Sequence, residues 1–405
     1  MEEIEITSHT PDSVISSKCH EKIERIALKN ISYDRFFRNY LQPNRAVVVE
    51  GIATEWECFR HWIDRSVVPS KLNVTYLKEI LPNGPVPVAD CGKQHYNSHE
   101  KIELTLFDFL QYWESNESNG RDQSMQEIQR NQYYLKDWHL RSERPDYNFY
   151  RTPALFASDW LNEHLVEKGS DDYRFVYMGP KGTWTAFHAD VFGSYSWSVN
   201  IFGQKLWYLL PPGEELKLLN SLRNLPFSVT EQMLQDAGVM FFCVVQQPGE
   251  AIFVPSGWYH QVLNVEDAIS VNHNWFNGCN VVKIWNNLCG ALADVRREID
   301  DCRDMENFDE HCQVMLKASF GMDYADFLAI IQYVCDKRLT SLKDGKQIKL
   351  IDNYVLGRKH AIYDLVTVRE LLTEMLEKNL LVTYPTLSDV ARTCLKKIES
   401  TDIYD

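Results

Sequence analysis

Three residues of this 405-residue chain have types and a spacing that could do chemistry: His188 and Asp190, in the triplet His188-Ala189-Asp190, and, about 70 residues on, His260. A His-x-Asp triplet arises about once by chance in a chain of this composition, so its surroundings decide. The triplet closes a predicted strand over 183–187, and residues two apart on a strand project from one face. His260 falls in Trp258-Tyr259-His260-Gln261-Val262, a second predicted strand. Two imidazoles and one carboxylate on one side of a metal ion form the facial triad of non-haem Fe(II) oxygenases. Three protein ligands leave three adjacent positions open, two for an α-keto acid and one for dioxygen. Zinc prefers four-coordination and cannot perform the redox step, so a zinc hydrolase is the competing chemistry for the same residues.

A co-substrate with two carboxylates needs an anchor for its far end. Lys205 follows the Gly203-Gln204 turn and starts a predicted strand over 205–210. A lysine pointing between sheets is costly unless an anion pairs with it. A surface lysine at a strand start is the plain alternative, and the company of His188, Asp190 and His260 weighs against it.

The elements that must position these groups are short. Between 133 and 276, β-rich runs at 173–178, 183–187, 194–202, 205–210, 251–255, 258–264 and 268–276 alternate with Gly179-Pro180, Pro211-Pro212-Gly213, Pro248-Gly249 and Ser256-Gly257. Many short strands with such turns predict an antiparallel barrel or sandwich. A helical insertion is expected at 214–237. Upstream, Phe36, Phe37, Tyr40 and Leu41 mark a helical face, 46–49 a buried strand, and Thr105 with Asp108 a helix start. Residues 1–17 read as a loose tail and 114–131 as a mobile polar loop. Downstream the period turns helical: Val281, Ile284, Trp285, Leu288, Leu292, Val295 and Ile299, then Phe327, Ile330, Ile331 and Val334, then Leu365, Val368, Leu372 and Met375. The acidic residues of these helices read as a solvated face. The expected division is 1–17 tail, 18–133 N-terminal helix and strand region, 134–280 barrel, 281–405 helical region.

Lys plus Arg number 42 against 57 Asp plus Glu, a formal charge of -15. That argues against direct nucleic-acid binding, which needs cations to neutralise phosphate. The ten cysteines form no C-x-x-C pair and are scattered as in a reducing compartment. The start of the chain lacks the pattern of a signal peptide, and no apolar run reaches membrane-spanning length. A cytoplasmic protein is expected, with a nuclear location as the variant. Nothing in the sequence reads on oligomeric state.

Taken together, Thr185-Ala186-Phe187-His188-Ala189-Asp190, Gly203-Gln204-Lys205-Leu206-Trp207, Pro211-Pro212-Gly213, Pro248-Gly249-Glu250 and Val254-Pro255-Ser256-Gly257-Trp258-Tyr259-His260 resemble the JmjC-domain 2-oxoglutarate oxygenases. The order and spacing match from about Tyr134 to Phe276, and the strand Arg45-Ala46-Val47-Val48-Val49 also fits. The resemblance implies a mainly β double-stranded β-helix, a cupin-like jelly-roll barrel, with N-terminal helix and strand elements and a C-terminal helical region. It implies Fe(II), 2-oxoglutarate and dioxygen, with His188, Asp190 and His260 as iron ligands. Lys205 and Thr185 match the residues on the distal carboxylate, and Tyr134 a co-substrate tyrosine preceding the barrel. Asn274 matches an asparagine near the metal-chelating end, and Asn272 a position that is often threonine. Ser198 stands where many relatives have Asn, which leaves the detail of co-substrate binding open. The likeness runs to members that hydroxylate a lysine side-chain carbon of the eukaryotic translation termination release factor, so that protein is the expected partner and substrate. N-methyl-lysine demethylation and a catalytically silent scaffold are the alternatives; zinc-finger cysteine pairs and basic stretches, which would mark a histone reader, are absent from the sequence.

Other polar residues are expected to be structural. His273 has the opposite strand parity to Asn272 and Asn274 and should point away from the metal. His139 and His164 read as surface or capping residues. Lys136 and Asp137 read as flanking Tyr134 more than as lining a substrate mouth. Trp197, Trp207 and Trp258 read as barrel packing.

Overall fold

Eight antiparallel strands between Arg174 and Trp275 carry the architecture: β1 Arg174–Gly179, β2 Trp184–His188, β3 Tyr195–Phe202, β4 Lys205–Leu210, β5 Phe242–Gln246, β6 Ala251–Val254, β7 Tyr259–Asn264 and β8 Ala268–Trp275. In this computed structural model, which describes residues 1–8, 10, 22–119 and 132–402, they pair as β1-β8-β3-β6 in one sheet and β2-β7-β4-β5 in the other. This is the jelly-roll order. The two sheets face each other without closing into one continuous hydrogen-bonded barrel.

The larger sheet reaches nine strands. Glu24–Ala27 and Val47–Glu50 add beyond β6, and Tyr133–Trp138 followed by the hairpin Pro85–His95 and Ser98–Thr105 adds beyond β1. Its outer face is apolar and its inner face polar, and β3 shows why. Tyr195, Trp197, Val199 and Ile201 are fully buried in the core under the N-terminal segments, where Trp197 stacks on Phe156 with centroids 5.4 Å apart. The residues between them, Ser196, Ser198 and Asn200, point to the space between the sheets, as the two-residue period requires. Gly203 sits in the β3–β4 turn at φ 65°, and a Cβ there would lie 1.9 Å from the Asp267 carbonyl oxygen. Only glycine fits.

Five helices follow: α1 Val281–Glu298, α2 Phe308–Phe320, α3 Tyr324–Asp344, α4 Arg358–Glu377 and α5 Pro385–Glu399. Except for the partly buried Ile299, the residues of the three expected apolar faces form one buried cluster with Cys312, Leu316 and Ala391. The acidic residues do not all follow the solvated-face expectation, since Asp364 on α4 is fully buried. None of the described helices is long and apolar enough to cross a membrane.

Four other expectations change. Glu2–Ile4 is a strand parallel to Tyr354–Leu356; Ile4 and Ile6 are buried, and the Glu5 carboxylate accepts the first N–H groups of α4, from Lys359 and His360. The rest of the expected tail, residue 9 and residues 11–17, lies outside the described residues. Leu106–Asn119 is helix, so the expected polar loop begins later, and 120–131 lie outside the described residues. Thr105 caps this helix by accepting from the Asp108 N–H at 3.2 Å. The insertion at 214–237 is only partly helical, over Glu214–Leu218 and Glu231–Asp236, and β5 and the 85–105 hairpin were not expected at all. The helical face at Phe36 runs as a short α-helix Tyr33–Phe36 and a wider π-turn Phe37–Leu41.

Candidate active site

His188 and His260 are direct cross-strand partners on β2 and β7, with ring centroids 4.4 Å apart. Asp190 follows β2 in extended backbone, φ -63° and ψ 151°, which keeps it on the face of His188. The ligand atoms of these three side chains lie within 4.8 Å of one another. Each imidazole is fixed by its own strand. His188 Nδ1 donates to the Ala186 carbonyl at 2.7 Å and His260 Nδ1 to the Trp258 carbonyl at 3.1 Å. A carbonyl only accepts, so both Nδ1 atoms carry hydrogen and both Nε2 lone pairs remain for a metal. Burial, then the His260 ring beside it, holds His188 down to about 4, so it is neutral near pH 7.

The carboxylate is held as firmly. Ser196 Oγ donates to one Asp190 oxygen at 2.7 Å and Asn274 Nδ2 to the other at 2.9 Å. These two residues face each other across β3 and β8. The turn after Asp190 is tied to the helical layer: Asn287 on α1 donates to the Phe192 carbonyl at 3.2 Å. Gly193, at φ 69°, leaves room for that amide, because a Cβ there would lie 2.0 Å from it. Ser196 is the site residue that the sequence reading missed. Its parity with Ser198 on a strand alternating large and small residues was the available signal.

The other expected residues gather in the same cavity. Tyr134, Thr185, Ser198, Lys205, Asn272 and Asn274 line it with the triad. Thr185 lies three residues before His188, an odd separation that would place it on the opposite face of a regular strand. The β2–β7 register shifts between these residues, and this bulge turns both side chains inward. Lys205 is buried, 2% exposed. Its ammonium donates to the Tyr134 hydroxyl at 3.1 Å, and no carboxylate of the described residues bonds it. Burial pushes Lys205 down to about 7 and pushes the Tyr134 phenol up. Ser198 Oγ is buried without a partner, and Asn272 bonds Ser270 beside it.

The cavity therefore fits its expected occupants on chemical grounds. One end offers two imidazole Nε2 atoms and a carboxylate, a donor set suited to iron with positions left open. The other offers a buried cation that no anion of the described residues meets. His273 points away, as expected, bonded to Tyr150 and packed on Trp197. Trp207 does more than pack, since it lines the cavity and stacks on His260 with centroids 5.7 Å apart. His164 is buried against Tyr333, not at the surface. Lys136 lines the cavity and Asp137 does not.

Comparison with known proteins agrees with this geometry. The family described as "JmjC domain, hydroxylase" matches residues 175–275. The chain is 44% identical over 377 residues to the 2-oxoglutarate and iron-dependent oxygenase JMJD4 homolog of Drosophila melanogaster, covering 88% of each chain. It is 38% identical to the 2-oxoglutarate and iron-dependent oxygenase JMJD4 of Homo sapiens, covering 85% of this chain and 82% of that one. It is also 37% identical to the arginine-specific demethylase JMJ20 of Arabidopsis thaliana, over 76% and 68%. With identity of this extent across nearly its whole length, the chain belongs to the JmjC family of 2-oxoglutarate- and iron-dependent oxygenases.

Proposed function

We propose that this dioxygenase is a protein hydroxylase acting on a lysine side-chain carbon of the eukaryotic translation termination release factor. The observation that carries the reaction class is the pairing, in one cavity, of two imidazoles and a carboxylate with a buried lysine that no acid of the described residues bonds. The lysine target and the release factor rest on the resemblance drawn from the sequence motifs.

In this reading His188, Asp190 and His260 hold Fe(II), and Lys205, Thr185 and Tyr134 hold the far carboxylate of 2-oxoglutarate. Asn274 and Ser196 fix the Asp190 carboxylate, so that both oxygens are engaged before any ligand arrives. Ser198 and Asn272 meet the co-substrate between its two ends. Bound iron with 2-oxoglutarate and dioxygen supplies the oxidising chemistry, with succinate and carbon dioxide leaving and one oxygen atom entering a C–H bond. The chain's part is position: the strand carbonyls set the imidazole tautomers, the sheets exclude water, and the Lys205 ammonium fixes which end of the dianion enters first.

The test is turnover on a release-factor fragment, with the lysines read by mass spectrometry. The expected result is a gain of one oxygen on a lysine, absent with His188→Ala. Loss of a methyl group with formaldehyde release would mark demethylation instead; the name of the Arabidopsis relative gives that reaction for arginine. No 2-oxoglutarate consumption by the Fe(II)-loaded protein beside any protein extract would mark a scaffold.

A further inference from the structure

Lys136 lies on the strand Tyr133–Trp138, two residues beyond Tyr134. The two side chains share a face and both line the cavity. Two residues of strand is about 6.6 Å, so Lys136 sits well apart from the end where Tyr134 meets Lys205. Lys205 is buried, whereas Lys136 is half-buried. Among the described residues its ammonium has no hydrogen-bond or ion-pair partner; it stands 5.8 Å over the Tyr177 ring. The adjacent acid is occupied. Asp137 adopts left-handed backbone at φ 61°, and its carboxylate accepts from Lys101 at 3.1 Å and from Tyr177 at 2.8 Å. Lys136 lines the same cavity as His188, Asp190 and His260.

A half-buried cation without an acceptor is costly, and it is tolerated where an acceptor arrives with a ligand. Two ligands enter this cavity. The distal carboxylate of 2-oxoglutarate is provided for by Lys205, Thr185 and Tyr134, and the other end is metal-directed. That leaves the protein substrate. We infer that Lys136 is a positioning residue, donating from its ammonium to an acceptor oxygen of the protein substrate beside the side chain to be hydroxylated. The inference rests on the reading of this site as a protein hydroxylase. The oxygen belongs to a main-chain carbonyl or an acidic side chain, and the chemistry at Lys136 is the same.

The experiment compares wild type, Lys136→Met and Lys136→Arg with the release-factor fragment as probe. A charge-assisted hydrogen bond of about 1.5 kcal/mol is roughly tenfold in binding. Lys136→Met should raise KM for the fragment about tenfold, change kcat less than about twofold, and be largely rescued by Lys136→Arg. If the oxygen is a carboxylate, the effect shrinks as salt rises; if it is a carbonyl, it does not. A Met variant as good as the Arg variant overturns the inference. Calorimetric titration of 2-oxoglutarate into the Mn(II)-loaded proteins needs no protein substrate, and an affinity loss above about fivefold in Lys136→Met would assign Lys136 to the co-substrate and also overturn it. If wild type leaves the fragment untouched, the named substrate falls. The same three proteins are then compared by total lysine hydroxylation of a cell extract, where the inference requires loss with Met and recovery with Arg.

Discussion

Arg338 on α3 and Lys205 on β4 are both buried cations, 0% and 2% exposed, in opposite surroundings. Arg338 forks onto Glu163, at 3.0 and 3.2 Å, and bonds Asp364 at 3.0 Å. Asp364 also accepts from Trp160 at 3.2 Å, so one guanidinium joins α3, α4 and the helix Trp160–Glu167 beside the jelly roll. Burial lowers its basicity, but the two carboxylates outweigh that and hold it raised. Among the described residues Lys205 has a phenol and no acid, and burial alone holds it down. A buried cation whose anions come from its own chain is part of the scaffold. One whose anion is missing is a receptor.

The largest effect expected from breaking this contrast is on the scaffold side. Arg338→Met removes the cation that Glu163 and Asp364 share and leaves them only Lys337 at 3.5 Å and His360 at 3.3 Å as basic partners, which costs about 3 kcal/mol. Chemical unfolding followed at Trp285, in the core of the helical layer, should shift to lower denaturant by that amount. Lys205→Met should do the reverse to the ligand-free protein, leaving stability unchanged or raised because an unpaired charge is gone. Its loss falls on binding: 2-oxoglutarate affinity should drop by at least about a hundredfold, since a desolvated charge pair is worth about 3 kcal/mol. If Lys205→Met destabilised as Arg338→Met does, the receptor reading of Lys205 would be wrong.

The pH dependence sharpens the same contrast. Lys205 titrates near 7 in the folded chain and at about 10.4 when unfolded. Between these values the unfolded chain binds more protons, so the stability of the ligand-free protein gains from Lys205 as pH rises through this window. Below it the full penalty of the buried ammonium is present. Binding a carboxylate needs the ammonium, so 2-oxoglutarate affinity should fall as pH rises above 7. Calorimetry at pH 8 in buffers of different ionisation enthalpy should show proton uptake on binding, and Lys205→Met should abolish it.

Much of this arrangement was legible because it obeys local periods. Seven of the eight strands of the jelly roll stood out as short runs between Gly and Pro turns, β5 being the exception, and the helical faces repeat at three and four. The triad was legible from two motifs whose turns bracket them. Three features were hidden for physical reasons. A bulge breaks strand parity, so Thr185 joins His188 against the two-residue rule. Glu2–Ile4 is a strand only because Tyr354–Leu356, at the far end of the chain, offers an edge. Asp364 reads as a solvated acid on an amphipathic helix, and its burial goes with the approach of Arg338 from the neighbouring helix.

Ser198 offers the finest cut. Ser198 lines the cavity with the triad and Lys205, its hydroxyl buried and without a partner among the described residues, while its cross-strand neighbour Asn272 is engaged with Ser270. It is thus the neutral counterpart of Lys205, a buried polar group without a partner among the described residues. Removing an unsatisfied hydroxyl relieves a desolvation cost of about 1 kcal/mol, so Ser198→Ala should melt at or slightly above the wild-type temperature. A neutral hydrogen bond to the co-substrate is worth about 1 kcal/mol, so KM for 2-oxoglutarate should rise about threefold to fivefold. An unchanged KM would place that contact on Asn274 alone, and would confine the receptor character of the cavity to its charged end.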